Sequence, residues 1–183
     1  MASLHKLPVL IILSILYFFS PQSINADEDL LKLACASSDA VQLCTDLLKN
    51  DKEITAAATT NEVDLGLTIM KSIIAKTKVT HDYILKKKSE NPVFDVCEKE
   101  WLDMVSGFER ILEVTTKNKG YKEDTDDYDF HNVGEAIGSC ERDLENKKIV
   151  DPEIKEKGDI VGKLMAAANG VLTHQKLKKE GQI

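Results

Sequence analysis

The sequence predicts an all-α protein: an up-and-down four-helix bundle with an N-terminal helical hairpin and two disulfides. Three observations predict it. Past residue 58, apolar residues recur in alternating steps of four and three, the spacing that lines up one face of a helix. The only prolines past residue 26, Pro92 and Pro152, each follow a capping residue, Asn91 or Asp151, at the helix position where a missing N–H costs nothing. Four cysteines, Cys35, Cys44, Cys97 and Cys140, give an even count, and no stretch reads as a strand pair.

Taken in order, residues 1–26 read as a secretory signal peptide. His5 and Lys6 precede an apolar run from Leu7 to Phe19, followed by Pro21 and a small residue, Ala26, before the expected cut. The run falls short of the ~20 residues a membrane span needs, and no later run is longer, so no membrane association is expected once the signal is removed. The mature domain is then 27–183, divided into a hairpin and linker over 27–58 and a bundle over 59–183. All four cysteines lie in that exported part, where an oxidising compartment favours two disulfides. Three connectivities are formally possible, and sequence order favours Cys35–Cys44 and Cys97–Cys140. On one continuous helix Cys35 and Cys44 would lie about 13.5 Å apart, against the roughly 4.4–6.8 Å a disulfide tolerates. The chain must turn back between them, and Ser37, Ser38 and Asp39 suit the end of one short helix and the cap of the next. After Lys49 the stretch NDKEITAAA carries no apolar stripe and reads as an extended linker.

Thr59-x-x-Glu62 matches a capping box, and Val63, Leu67, Met70, Ile74, Thr77, His81 and Ile84 follow at the helical spacing, predicting a helix from Thr60 to Lys88. Asn91 and Pro92 open the next helix, whose stripe is Cys97, Trp101, Met104, Phe108, Ile111 and Thr115. The link between these two helices is so short that they must lie antiparallel. Gly120 stops the second helix, the acidic run YKEDTDDYD follows, and a third helix carries Phe130, Val133, Ile137, Cys140 and Leu144 inward. Gly134 and Gly138 weaken that helix by about 1 kcal/mol each against Ala. A bridge from Cys140 to Cys97 would offset the loss. Asp151 and Pro152 open the last helix, with Ile154, Val161, Leu164 or Met165, Ala168, Val171 and Leu172 inside and the tail KLKKEGQI frayed.

Charge excludes one class of partner. The whole chain carries −7, and residues 1–26 hold one of its 24 basic residues and none of its 31 acidic ones, so the remainder is more acidic still. Nucleic acid is not an expected partner of such a surface. The run Lys86–Lys88 is a solvated helix end, and no Asn-x-Ser/Thr acceptor for a glycan occurs. The motif search for an enzyme comes back empty. There is no Gly-x-Ser-x-Gly elbow, no phosphate-binding Gly loop and no His-Glu-x-x-His pair. The cysteines lack zinc spacing, and His81 reads as a half-buried residue at one end of the bundle. Asp124, Asp126, Tyr128 and Glu135 imitate a calcium loop but put Asp129 where the sharp turn needs Gly. No cofactor, no metal and no catalytic residue is expected.

The cysteine layout, two close together in an N-terminal hairpin, one in the second bundle helix and one in the third, resembles that of the plant invertase/pectin methylesterase inhibitor family. The segment SCERDLENKKIVDPEIKEKGDIVGKLMAAANGVL is similar to the family's third helix, connection and fourth helix, and more closely to a branch of pollen allergen-like invertase inhibitors. The resemblance implies a non-enzymatic protein that binds either acid invertase (a β-fructofuranosidase) or pectin methylesterase, one to one, in the cell wall (apoplast) or vacuole. In invertase inhibitors a Pro-Lys-Phe motif ahead of the last cysteine enters the enzyme's active site. Here the corresponding stretch is Tyr128-Asp129-Phe130, which keeps only the Phe and reverses the middle charge. The family's Thr-Cys-x-Asp-Gly-Phe run appears as Ser139-Cys140-Glu141-Arg142-Asp143-Leu144. On this reading Tyr128 and Phe130 are aromatic anchors for the target enzyme. Protonation along the acidic run Glu123–Asp129 is expected to change affinity between about pH 4.5 and 7. The other class of function is a secreted ligand-binding, storage or allergen protein with no enzyme target, which would need a large internal cavity.

Overall fold

Side-chain caps, Asp51, Asn61 and Asp151, open three of the helices in the computed structural model, which describes residues 26–122 and 124–183, with side chains described for 27–122 and 129–183. The expected signal peptide, up to Asn25, lies outside the described residues. The helices are α1 (Ala26–Ala34), α2 (Val41–Lys49), α3 (Lys52–Ala58), α4 (Glu62–Glu90), α5 (Asp95–Asn118), α6 (Asp124–Asn146) and α7 (Pro152–Lys179), with a 3-10 turn at Pro92–Phe94 leading into α5. No strand occurs among the described residues. Helices α4 to α7 form the four-helix bundle: α4 packs on α5 and α7, and α6 packs on α5 and α7.

Both disulfides form as sequence order favoured, Cys35–Cys44 with Cα atoms 5.8 Å apart and Cys97–Cys140 at 4.6 Å. The first clamps α1 to α2. Ser37 and Asp39 do not cap α2 as expected. The N-cap position is Ala40, without a side-chain bond, and only the Ser38 hydroxyl takes part, accepting from the Ala40 N–H at 3.3 Å. The hairpin is no appendage. Leu31, Ala34, Cys35, Cys44 and Leu48 belong to the same buried cluster as the bundle. A Cβ added at Gly170 would stand 2.7 Å from the Ala34 carbonyl oxygen, so α1 meets α7 backbone to backbone.

The expected extended linker is a helix. Asp51 caps α3, its Oδ1 accepting from the Glu53 and Ile54 N–H groups at 3.0 and 3.3 Å. Ile54, Ala57 and Ala58, at the three-and-four spacing, are buried. Thr59 is not the cap of α4 either; Asn61 is, its Oδ1 accepting from the Asp64 N–H at 2.9 Å. Helix α4 buries a wider arc than one stripe. Leu65, Ile69 and Ile73 are buried alongside the predicted Met70, Ile74, Thr77 and Ile84, because α3, α5 and α7 approach it from three directions. Val63, Leu67 and His81 are only half-buried.

All six residues of the α5 stripe are buried, with Cys97, Trp101 and Phe108 at 0% exposure. Each such large apolar side chain contributes about 1.5–3 kcal/mol of transfer free energy, so α5 is the helix on which the bundle closes. Asn91 caps not α5 itself but the 3-10 turn ahead of it, its Oδ1 accepting from the Val93 N–H, and Asp151 starts α7 by accepting from Glu153 and Ile154. The α7 tail does not fray where expected. The helix continues to Lys179, with Lys178 Nζ 3.3 Å from Glu62 Oε1.

Candidate functional site

The stretch singled out by sequence follows the turn between α5 and α6. Lys119 ends α5 in the left-handed region (φ 54°) and Gly120 follows at φ 115°, its N–H donating to the Thr115 carbonyl at 3.0 Å. Helix α7 holds this turn. A Cβ on Gly120 would stand 2.4 Å from Gln175 Oε1, so the position combines a glycine conformation with contact that only glycine permits. The buried Tyr121 donates its hydroxyl to Asn169 Oδ1 at 3.0 Å, and Lys179 Nζ donates to the Lys119 carbonyl at 3.0 Å. Helix α6 then starts at Asp124, so Asp124–Asp129 of the acidic run lie in its first two turns, at the positive end of the helix dipole. A continuous helix over Asp124–Asn146 also rules out the calcium-loop arrangement of Asp124, Asp126, Tyr128 and Glu135.

The three candidate contact residues separate. The Tyr128 side chain lies outside the described residues. Asp129 is about half exposed and its Oδ2 lies 3.7 Å from Arg110 Nη2 on α5. Phe130 is 2% exposed, its ring edge-on to Phe108 with centroids 5.5 Å apart. Phe130 is thus the first core residue of α6, on the inner face that the helical spacing gave it, and it fixes that helix to α5 from within. Between α5 and α6 runs a groove of about 460 Å³ whose walls carry Glu100, Asp103, Arg110, Asp129, Glu135 and Arg142. Such a rim of both charges suits a polar protein surface better than a small apolar molecule. Among the described residues no group of three His, Cys, Asp or Glu side chains is placed to hold a metal ion.

Sequence reading missed a charged cluster at the α4–α5 end. His81 Nε2 lies 3.3 Å from Glu98 Oε1, and Lys88 Nζ lies 3.2 Å from Glu98 Oε2 and 2.6 Å from Asp95 Oδ1. The available signal was symmetry: His81 and Glu98 stand equally far from the Ser89–Glu90 link of an antiparallel helix pair. The hydrogen bond from His81, then the Lys88 ammonium, hold the Glu98 carboxyl below its ordinary 4.5. A carboxyl with a lower pKa folded than unfolded contributes stability above the unfolded value and loses it as pH falls through the folded one. Glu98→Gln is expected to destabilise the protein at neutral pH and to converge on the parent as pH drops below 4.5. Urea unfolding at stepped pH checks this, and a constant gap throughout would remove Glu98 as the acid-sensitive group.

With the bundle, both bridges and the α6 start in place, a comparison decides the family. The model for the plant invertase/pectin methylesterase inhibitor family matches residues 29–172, from α1 into α7. The chain belongs to this family. No curated protein matches it. Membership makes it a proteinaceous inhibitor of invertase or pectin methylesterase and not a catalyst, in line with the empty motif search. The matched range spans both disulfides.

Proposed function

We propose that the chain is exported by its first 26 residues and that the domain over 27–183 inhibits an acid invertase of the cell wall or vacuole by occluding the active site one to one. The observation that carries this reading is the family match over residues 29–172. The contact surface is the start of α6 with the adjoining α5 face: Tyr128 and Asp129 are the contact residues, with Arg110 beside Asp129 and Phe130 as the internal support. Among the described residues no helix is long and apolar enough to cross a membrane, which agrees with an exported chain. Pectin methylesterase is the second reading, since the family name covers both targets. A ligand-storage role finds no support in the interior, where hairpin and bundle side chains pack into one buried cluster.

A parallel titration of the oxidised mature protein against an acid invertase and a pectin methylesterase, at about pH 5 where most carboxylates stay ionised, is the direct test. Loss of invertase activity at near-equal molar ratio, with pectin methylesterase untouched, is the expected result. Inhibition of the esterase alone would exchange the target, and inhibition of neither would remove the proposal. Repeating the titration up to pH 7 reads the contribution of the acidic run, whose protonation is expected to alter affinity.

A further inference from the structure

A second groove, of about 610 Å³, lies between α3, α4 and α7, and none of its lining residues belongs to α5 or α6. It is therefore separate from the proposed enzyme contact. Four lysines line it, Lys52, Lys71, Lys76 and Lys157, in a chain whose net charge is −7. The lysines outnumber its two carboxylates, Asp51 and Glu53. Asp51 is committed to the α3 cap through Oδ1 and to the Ser72 hydroxyl through Oδ2 at 3.2 Å, while Glu53 is solvent-exposed. Among the described residues Lys52, Lys71 and Lys76 have no ion-pair partner, whereas Lys157 pairs with Glu153 at 3.4 Å. Five residues of helix put Lys71 and Lys76 about 7.5 Å apart along the axis, one on each side of a floor formed by Ala75, Val79 and Ile160. Val79 is 59% exposed there, an aliphatic side chain left open to solvent between ammonium groups.

We propose that this groove binds a carboxylated oligosaccharide. Spaced ammonium groups match the carboxylates of successive acidic sugars, the aliphatic floor takes the C–H faces of the rings, and the oxygens of Thr68 and Ser72 accept from ring hydroxyls. Its volume lies in the range that holds a small ligand, roughly 300–1,000 Å³. Phosphate ligands fit less well: the groove has no arginine, and the Asp51 carboxylate already occupies the free amides of α3. An acidic peptide fits less well too, since the helical walls offer no unpaired backbone edge.

The test is titration of trigalacturonate into the isotope-labelled mature protein, followed by amide chemical shifts, with maltotriose and tetraglutamate in parallel. Saturable shifts confined to α3, α4 and α7 with trigalacturonate, absent with maltotriose and abolished by raising salt to about 0.5 M, are expected. Lys71→Gln/Lys76→Gln should weaken binding at least tenfold, and Lys71→Arg/Lys76→Arg should restore it. Both pairs lie on exposed or half-exposed helix positions, and an unchanged spectrum away from the groove verifies the fold. No shifts with trigalacturonate, shifts that ignore the glutamine pair, or tighter binding of tetraglutamate would each overturn the proposal. Because no enzyme is present, the outcome is independent of the inhibitor reading.

Discussion

Removing the Cys97–Cys140 bridge, as Cys97→Ala/Cys140→Ala, is expected to lower the unfolding free energy by about 4 kcal/mol. The figure follows from loop closure: the bridge joins residues 43 apart, and a cross-link stabilises by removing that loop's freedom from the unfolded chain. Cys35–Cys44 spans only 9 residues, for which the same relation gives about 2.6 kcal/mol. Both bridges are fully buried, so the transfer terms of the four sulfurs are similar and loop length decides the order. The longer bridge also does something the shorter does not. It fixes α6, whose Gly134 and Gly138 make it a poor helix by itself, to the fully buried Cys97 of α5. For a domain whose total stability is of order 5–15 kcal/mol, that loss should be visible as a lowered urea midpoint and as earlier hydrogen exchange in α6. Equal losses from the two double variants would show that loop closure is not the dominant effect.

What the sequence made legible was governed by strong apolar contrast. Helix α5 has one face of Trp, Met, Phe and Ile and another of Glu, Lys and Asp, and every residue of its predicted stripe is buried. Helix α3 has seven residues, and its inner face is Ile54 with two alanines, too small a contrast to register. Its formation rests on a single cap, Asp51, and on the neighbours that cover Ala57 and Ala58, which are tertiary facts. Helix α4 was legible as a helix but not in the width of its buried face, because a helix touched from three directions hides more than one stripe. The candidate contact stretch was found by resemblance, but its internal division was not. Spacing assigned Phe130 to the inner face and motif comparison assigned it to the partner, and only burial chooses between them.

That choice makes Phe130 the most informative position on the α6 side. Phe130→Ala is expected to cost about 3–5 kcal/mol of stability, through lost transfer energy and a cavity against Phe108, and it should weaken inhibition chiefly by loosening the start of α6. Phe130→Leu keeps most of the apolar volume and should cost about 1.5 kcal/mol. If the Phe130 ring acts from inside, the leucine variant, folded at 25 °C, inhibits the target as the parent does. Tyr128→Ala, in the first turns of α6 proposed to meet the enzyme, should then raise the inhibition constant at least roughly tenfold while leaving the urea midpoint unchanged. The opposite pattern has a definite meaning. A fully folded Phe130→Leu that loses inhibition as severely as Tyr128→Ala would show that the phenyl ring leaves Phe108 on binding. Phe130 would then be the anchor that motif comparison implied, and the first turns of α6 would unwind from α5 to deliver it.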